Sequence, residues 1–478
     1  MSEIRCPLED IARIAPNQAA WLEEDTAHMF PSMHVAARSI AGLLQDELGV
    51  KPGDRVLIAA PTHWRWLPLL FGIFRVGAMA CPLNTRLPAK ALRERARLLN
   101  PAVQVIPDDG EALLEGVPCL RISTLCDVTM LGGPDARPVY LDLERPATCV
   151  FTSGSMGDPK AVVHSLEGHY YSALGANRLL PMNHHHRWML TLPLYHVGGL
   201  GVIFRCLLSG AALVSPEPGV DPVETMLRHR VTHLSLVPTQ LVRLMRHEKR
   251  EQLASGLQRV LLGGAPISDD LVARALDAGF PVHRTYGMTE TASQVSTVPR
   301  HALKPIREAT DGAVLPHREV KISEAGEILV RGHILPLGKW TETGLEALTD
   351  DQGWLHSGDL GTLDDGYLKV TGRRDNQFVS GGENIQPEEI ERHLLEITGA
   401  GVAVVVPQPD AEFGFRPVAW LDLPAETHTP AVWDTALRKF LPGYMVPVGY
   451  RVLPENAGLK PDRRLLSEKL CGKGGACI

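Results

Sequence analysis

A single lysine, Lys160, closes a run of glycines and hydroxyl residues in FTSGSMGDPKAVVHS, residues 151–165. Glycines let backbone N–H groups approach an anion, hydroxyls add donors, and a lysine supplies a point charge suited to phosphate. The preceding ATCVF reads as a strand, which puts the loop at a strand's C-terminal edge, where α/β proteins bind ligands. It is not a Walker A loop, because Asp158 and Pro159 separate Gly157 from Lys160. On this segment alone a phosphate cradle and a solvated turn both remain open.

A second cation stands out by its surroundings. Arg205 lies alone in the apolar run GVIFRCLLSG. Burying a guanidinium there requires an anion, either an internal Asp or Glu or a carboxylate on a ligand held through the bidentate fork. A monocarboxylic fatty acid would give it nothing to bind. The run 198–215 containing Arg205 is broken by Gly210, so it reads as a buried helix followed by a strand rather than a membrane span. The HHH at 184–186 reads as a polar loop.

The elements that must position these residues are legible as repeated strand–helix–strand units. Asp54–Pro82, Trp188–Val214 (with LTLPL as its first strand) and Arg259–Gly287 each offer an apolar strand, a helix and a second strand. Such alternation predicts parallel sheets covered by helices on both faces. After Glu319 the texture changes to short strands with turn signals, predicting antiparallel β structure. Beyond the charged GRRDNQ at 372–377 lie a helix, two strands, a helix and a closing segment. The predicted fold class is therefore a large α/β N-terminal domain, 1–374, with a small α+β C-terminal domain, 375–478.

Length and composition set the frame. The 478 residues suffice for two to four domains, and 44% hydrophobic with 22% charged residues is ordinary for a globular chain. A net charge of −7 argues against a nucleic-acid binder. The eight cysteines are scattered without a C-x-x-C pair, which fits a reducing compartment better than a disulfide framework or zinc site. MSEIRCPLEDIARIAP has no apolar signal-peptide core. These features predict a cytoplasmic protein; a homo-oligomer stays open.

Further segments place the loop in a series. TSGSMGDPK resembles the phosphate loop of the acyl-adenylate-forming superfamily, and YGMTE (286–290), HSGDL (356–360), GRRDN, SGGENIQPEEIE and GLK (458–460) resemble that family's later motifs in their order. The resemblance covers nearly the whole chain. It implies a large domain that includes a β-barrel-like subdomain, a hinged small domain, and a two-step reaction. A carboxylate attacks the α-phosphorus of ATP with Mg²⁺, and coenzyme A then takes the acyl group. LPLYHVGGLGVIFRCL, THLSLVPTQLVRLM, RVLLGGAP and EFGFRPVA are similar to the branch that activates o-succinylbenzoate, an aromatic dicarboxylate, for menaquinone biosynthesis. A ligase for another aryl or medium-chain acid, and a stand-alone protein loading a carrier-protein thiol, remain alternatives.

By this resemblance, Thr152, Ser153, Gly154, Ser155, Gly157 and Lys160 would cradle the β- and γ-phosphates. Met156 and Ala161 depart from the family's usual hydroxyl residue and glycine. Tyr286 and Gly287 would pack on adenine opposite Gly263, Gly264, Ala265 and Pro266, with Thr289 at the α-phosphate and Glu290 on Mg²⁺. Asp359 would hold the ribose, supported by Arg373. His196 would gate the acid pocket, and Arg205 and Ser293 would line it. Lys460, after Leu459 where the family has glycine, would catalyse adenylation. Rotation about Asp375 would then replace it with Ser380, Gly381, Gly382 and Glu383, which would admit the coenzyme A arm.

Overall fold

The structure is a computed structural model and describes residues 3–127, 138–152, 160–454 and 461–471. Within these, two large sheets carry the N-terminal part. One has eight strands, including the parallel neighbours Arg55–Ile58, Met79–Pro82 and Val103–Ile106, and the antiparallel pair Pro146–Phe151 and Ala161–Ser165. The other follows a path of thirteen strands. Its parallel portion runs through Ala212–Val214, Arg187–Met189, His233–Leu236, Arg259–Leu262 and Val282–Met288.

All three expected strand–helix–strand units are present. Trp66–Arg75 links Arg55–Ile58 to Met79–Pro82, Val197–Ser209 links Arg187–Met189 to Ala212–Val214, and Asp269–Asp277 links Arg259–Leu262 to Val282–Met288. One boundary differs. The strand expected at LTLPL lies earlier, at Arg187–Met189. Pro193 cannot donate to a ladder, and the Thr191 hydroxyl instead caps the Ser235 carbonyl in a turn leading to the helix.

Antiparallel structure follows as the texture of the chain predicts. Val282–Met288 turns back on Ser293–Thr297, and the path continues through Ala313–Val314, Tyr367–Arg373, Leu355–Asp364, Glu327–Gly332 and Arg318–Ile322. The antiparallel strands thus extend the parallel sheet without a break. This places the adenylate-like motif and the HSGD segment in one sheet, with the strands Ser293–Thr297, Ala313–Val314 and Tyr367–Arg373 between them.

Between the sheets lies the largest core. It joins the helices Phe30–Gly42, Trp66–Arg75 and Val197–Ser209 to inward residues of both sheets, among them Val56, Ala80, Val150, Leu213 and Leu261. The helix Val197–Ser209 is buried at nearly every position, so its one charged residue is drawn into the interior by its neighbours. Gly210 ends it with φ 70°, its N–H reaching Cys206 O and Leu207 O. Residues from Phe378 onward build a five-stranded sheet with its own core of Phe378, Ile385, Ile390, Val405, Ala419 and Trp433. No helix among the described residues is long and apolar enough to cross a membrane.

Candidate active site

The candidate phosphate loop spans a hairpin. Phe151 pairs with Ala161, and Thr152 N–H donates to Lys160 O at 2.9 Å, so both ends of the loop are pinned at the sheet edge. Lys160 is exposed there. Ser153, Gly154, Ser155 and Gly157 lie outside the described residues, as does Lys460.

Tyr286, Asp359 and Arg373 meet. The Tyr286 hydroxyl donates to Asp359 Oδ2 at 2.7 Å, and Arg373 Nη1 donates to Oδ1 at 3.0 Å. Asp359 faces Arg373 across the Leu355–Asp364/Tyr367–Arg373 ladder, and its own N–H is held by Ser357 Oγ at 3.0 Å. Burial, with the Asp359 charge beside it, pushes the Tyr286 phenol well above its usual range, so it stays a donor.

Two glycines shape the turn that is expected to face Tyr286. Gly263 ends the strand beside Val282–Met288, and a Cβ on it would lie 2.7 Å from Thr285 O. Gly264 continues the turn with φ 78°, toward Ala265 and Pro266. Gly287 admits no Cβ either, because it would run into Ser293 O across the hairpin. Thr289 and Glu290 form the short 3₁₀ turn Thr289–Thr291 at the hairpin's tip, both partly exposed.

That tip is strained. Ala292 has φ 47° and Ser293 φ 110°, conformations that side-chain-bearing residues rarely adopt and that cost about 1–3 kcal/mol each. Three successive carbonyls are clamped: Ala292 O by Ser172 Oγ (2.9 Å), Ser293 O by Thr291 Oγ1 (3.2 Å) and Gln294 O by the Arg318 guanidinium. The clamped turn presents the Ser293 hydroxyl to Arg205 Nη2 at 3.1 Å.

Arg205 is 2% exposed and has no carboxylate partner among the described residues. Its Cζ lies 5.5 Å over the Trp188 ring, its Nε is unbonded, and burial lowers the guanidinium to about 10. The internal-carboxylate alternative is therefore not met. His196 is the exposed residue preceding the same helix, its ring 4.7 Å from Tyr195. At 1.5 Å per residue the helix carries Arg205 about 13 Å along the axis from His196. His196 thus stands exposed at one end of this helix while a desolvated cation sits deep along it.

In the C-terminal part, Asp375 lies in the 3₁₀ turn Arg374–Asn376, 3.6 Å from Arg373 Nη2. Ser380 and Glu383 end two paired strands, and Gly381 and Gly382 form the two-residue turn between them with φ 60° and 88°. That is the geometry of a type I′ hairpin. Ser380 is fully buried, while the glycines and Glu383 are exposed.

Sequence reasoning did not find Trp188, Arg318 or Ser172, whose contacts come from distant segments, nor Thr291, whose hydroxyl closes the turn locally on Met288 and Ser293. It also missed Glu327, which accepts from Gly358 N–H at 2.9 Å and from Arg374 at 2.9 Å and so fixes the turn before Asp359. No cluster of three or more metal-ligating side chains occurs among the described residues. One carboxylate, Glu290, fits a Mg²⁺ ion carried largely by nucleotide phosphates.

Residues 8–339 match the family described as AMP-binding enzyme. The chain is 35% identical to 2-succinylbenzoate–CoA ligase of Escherichia coli (strain K12), with 88% of each chain covered. Among solved structures it resembles o-succinylbenzoate coenzyme A synthetase (MenE) from Bacillus subtilis. In complex with the acyl-adenylate intermediate OSB-AMP the TM-score is 0.86 at 28% identity, covering 98% of this chain and 99% of that one. In complex with ATP and magnesium ion it is 0.84 at 29%, covering 98% and 100%. The chain belongs to the family of AMP-binding enzymes that includes these 2-succinylbenzoate–CoA ligases.

Proposed function

We propose that the protein is an AMP-forming acid–CoA ligase that converts o-succinylbenzoate, ATP and coenzyme A to o-succinylbenzoyl-CoA, AMP and pyrophosphate in menaquinone biosynthesis. The observation that carries the choice of acid is Arg205: a buried guanidinium with a serine hydroxyl and an indole face as neighbours, and no carboxylate counter-ion among the described residues. A dicarboxylate supplies that counter-ion with the carboxylate that does not react. An acid with one carboxylate must commit it to ATP.

In the first half-reaction the aliphatic carboxylate attacks the α-phosphorus and pyrophosphate leaves. Both reactants are anionic, so positioned donors and cations must offset their repulsion and the charge of the transition state. Thr152, Lys160 and the loop between them would hold the β- and γ-phosphates. Thr289 would contact the α-phosphate. Tyr286 would stack on adenine while its hydroxyl orients Asp359 toward the ribose. Glu290, with the phosphates, would hold Mg²⁺, which would supply further charge neutralisation. Lys460 would reach the reacting carboxylate and α-phosphate from the small domain.

In the second half-reaction the coenzyme A thiol attacks the acyl carbon and AMP leaves. The hinge at Asp375 would turn the small domain so that the Gly381–Gly382 turn, with Ser380 and Glu383 at its ends, replaces Lys460. Closure would exclude water that hydrolyses the adenylate. Buried free thiols at Cys6, Cys81, Cys149 and Cys206 support a cytoplasmic setting.

Thioester formation from o-succinylbenzoate tests the reading. Product that appears only with ATP, Mg²⁺ and coenzyme A together is expected, and acyl transfer to a carrier-protein thiol but not to coenzyme A would overturn it.

A further inference from the structure

Arg318 is a second buried guanidinium at the turn that carries Ser293. It is 7% exposed at the start of the strand Arg318–Ile322. Among the described residues its donors go only to main-chain carbonyls: Gln294 O, Pro316 O at 3.0 Å and Tyr171 O at 3.3 Å. No carboxylate pairs with it among the described residues. The helix Leu166–Leu179 leaves it room at Gly175, where a Cβ would come within 2.6 Å of Arg318 Nη2.

The two arginines hold adjacent residues of one strained turn. Arg205 reaches the Ser293 hydroxyl, and Arg318 reaches the carbonyl of Gln294. Burial, then the charge of Arg205, bring the Arg318 guanidinium down to about 9. Two like charges held in a desolvated wall repel each other, and neutral carbonyls offset this only in part. An anion entering the pocket relieves both at once.

We propose that Arg318 is a specificity-determining positioning residue. It adds the second positive charge that makes the pocket select a dianionic acid, and it fixes the 292–294 turn that aims Ser293 and Arg205. The inference rests on the proposed reading of the pocket as the site of the second carboxylate. Arg318 acts through the turn and through its field, without touching the reacting atoms.

The test compares kcat/KM for acid-dependent pyrophosphate release with o-succinylbenzoate and with 4-oxo-4-phenylbutanoate, which lacks the ring carboxylate. The wild type is measured first, and no preference there overturns the reading of the pocket itself. Given a preference, Arg318→Gln is expected to lower the dicarboxylate-to-monocarboxylate ratio at least tenfold, and Arg318→Lys to restore it to within threefold of wild type. Equal losses for both acids, or an unchanged ratio in Arg318→Gln, would overturn the proposal. Should Arg318→Gln fail to fold, Arg318→Lys is decisive alone: a ratio within threefold supports the role of charge, and a larger fall contradicts it.

Discussion

The phenol of Tyr286 is hydrogen-bonded to Asp359 Oδ2 at 2.7 Å, joining residues 73 positions apart in the chain. The bond locks the ring plane and the carboxylate together, so the proposed surface for the base and the proposed acceptor for the sugar are set by one contact. Tyr286→Phe keeps the ring and removes that bond, which is worth about 1.5–3 kcal/mol when one partner is charged. The expected outcome is a KM for ATP raised roughly tenfold, with the KM for the acid little changed. Steady-state kinetics with each substrate varied in turn checks it, and an unaltered KM for ATP would separate Asp359 from nucleotide binding.

Arg205 separates function from stability. Arg205→Met fills similar volume with an uncharged side chain, and replacing a buried charge by an apolar group is often neutral or stabilising. Acid recognition is expected to lose about 2–5 kcal/mol in kcat/KM for o-succinylbenzoate, while the thermal midpoint stays level or rises. A fall in thermal midpoint with unchanged kinetics would make Arg205 a structural residue.

Much of this arrangement could be read from the chain before any coordinates. The strand–helix–strand units were legible because their strands are unbroken apolar runs and their helices end at glycines such as Gly210. Arg205 was legible because it is the one charge in an apolar helix. What pairs with it was not, since Ser293 is aimed by carbonyl clamps from Ser172, Thr291 and Arg318, none near it in type or pattern except Thr291. The strand misplaced at LTLPL has the same origin: apolar residues permit a strand there, but Pro193 and the Thr191–Ser235 contact decide otherwise.

Buried histidines set an acid limit. Burial holds His164 and His283 at about 4 and His233 lower still, so all three stay neutral in the folded protein. Their folded values lie below the unfolded value near 6.5, so as pH falls the unfolded chain takes up protons first. Stability is then expected to fall from about pH 6.5 toward pH 4, by about 1.4 kcal/mol per pH unit for each site. Urea midpoints at pH 7, 6 and 5 measure the slope. His164→Gln should lower it by about 1.4 kcal/mol per pH unit, and an unchanged slope would show that His164 does not contribute.

The role proposed for Lys460 divides the two half-reactions. Lys460→Ala is expected to lower adenylation by at least about a hundredfold, the scale of lost transition-state charge stabilisation. Thioester formation from supplied acyl-adenylate should stay within about threefold of wild type, because an interaction absent from that step costs it nothing. Rapid-mix assays of each half-reaction check this, and equal losses in both would remove the assigned role.

The most direct test of the account is acid-dependent pyrophosphate release with ATP and Mg²⁺, with and without coenzyme A, across o-succinylbenzoate, benzoate and a medium-chain fatty acid. The account predicts strong preference for the dicarboxylate, with thioester appearing only when coenzyme A is present. Preference for either monocarboxylate would contradict it, leaving Arg205 without the substrate carboxylate on which the reading depends.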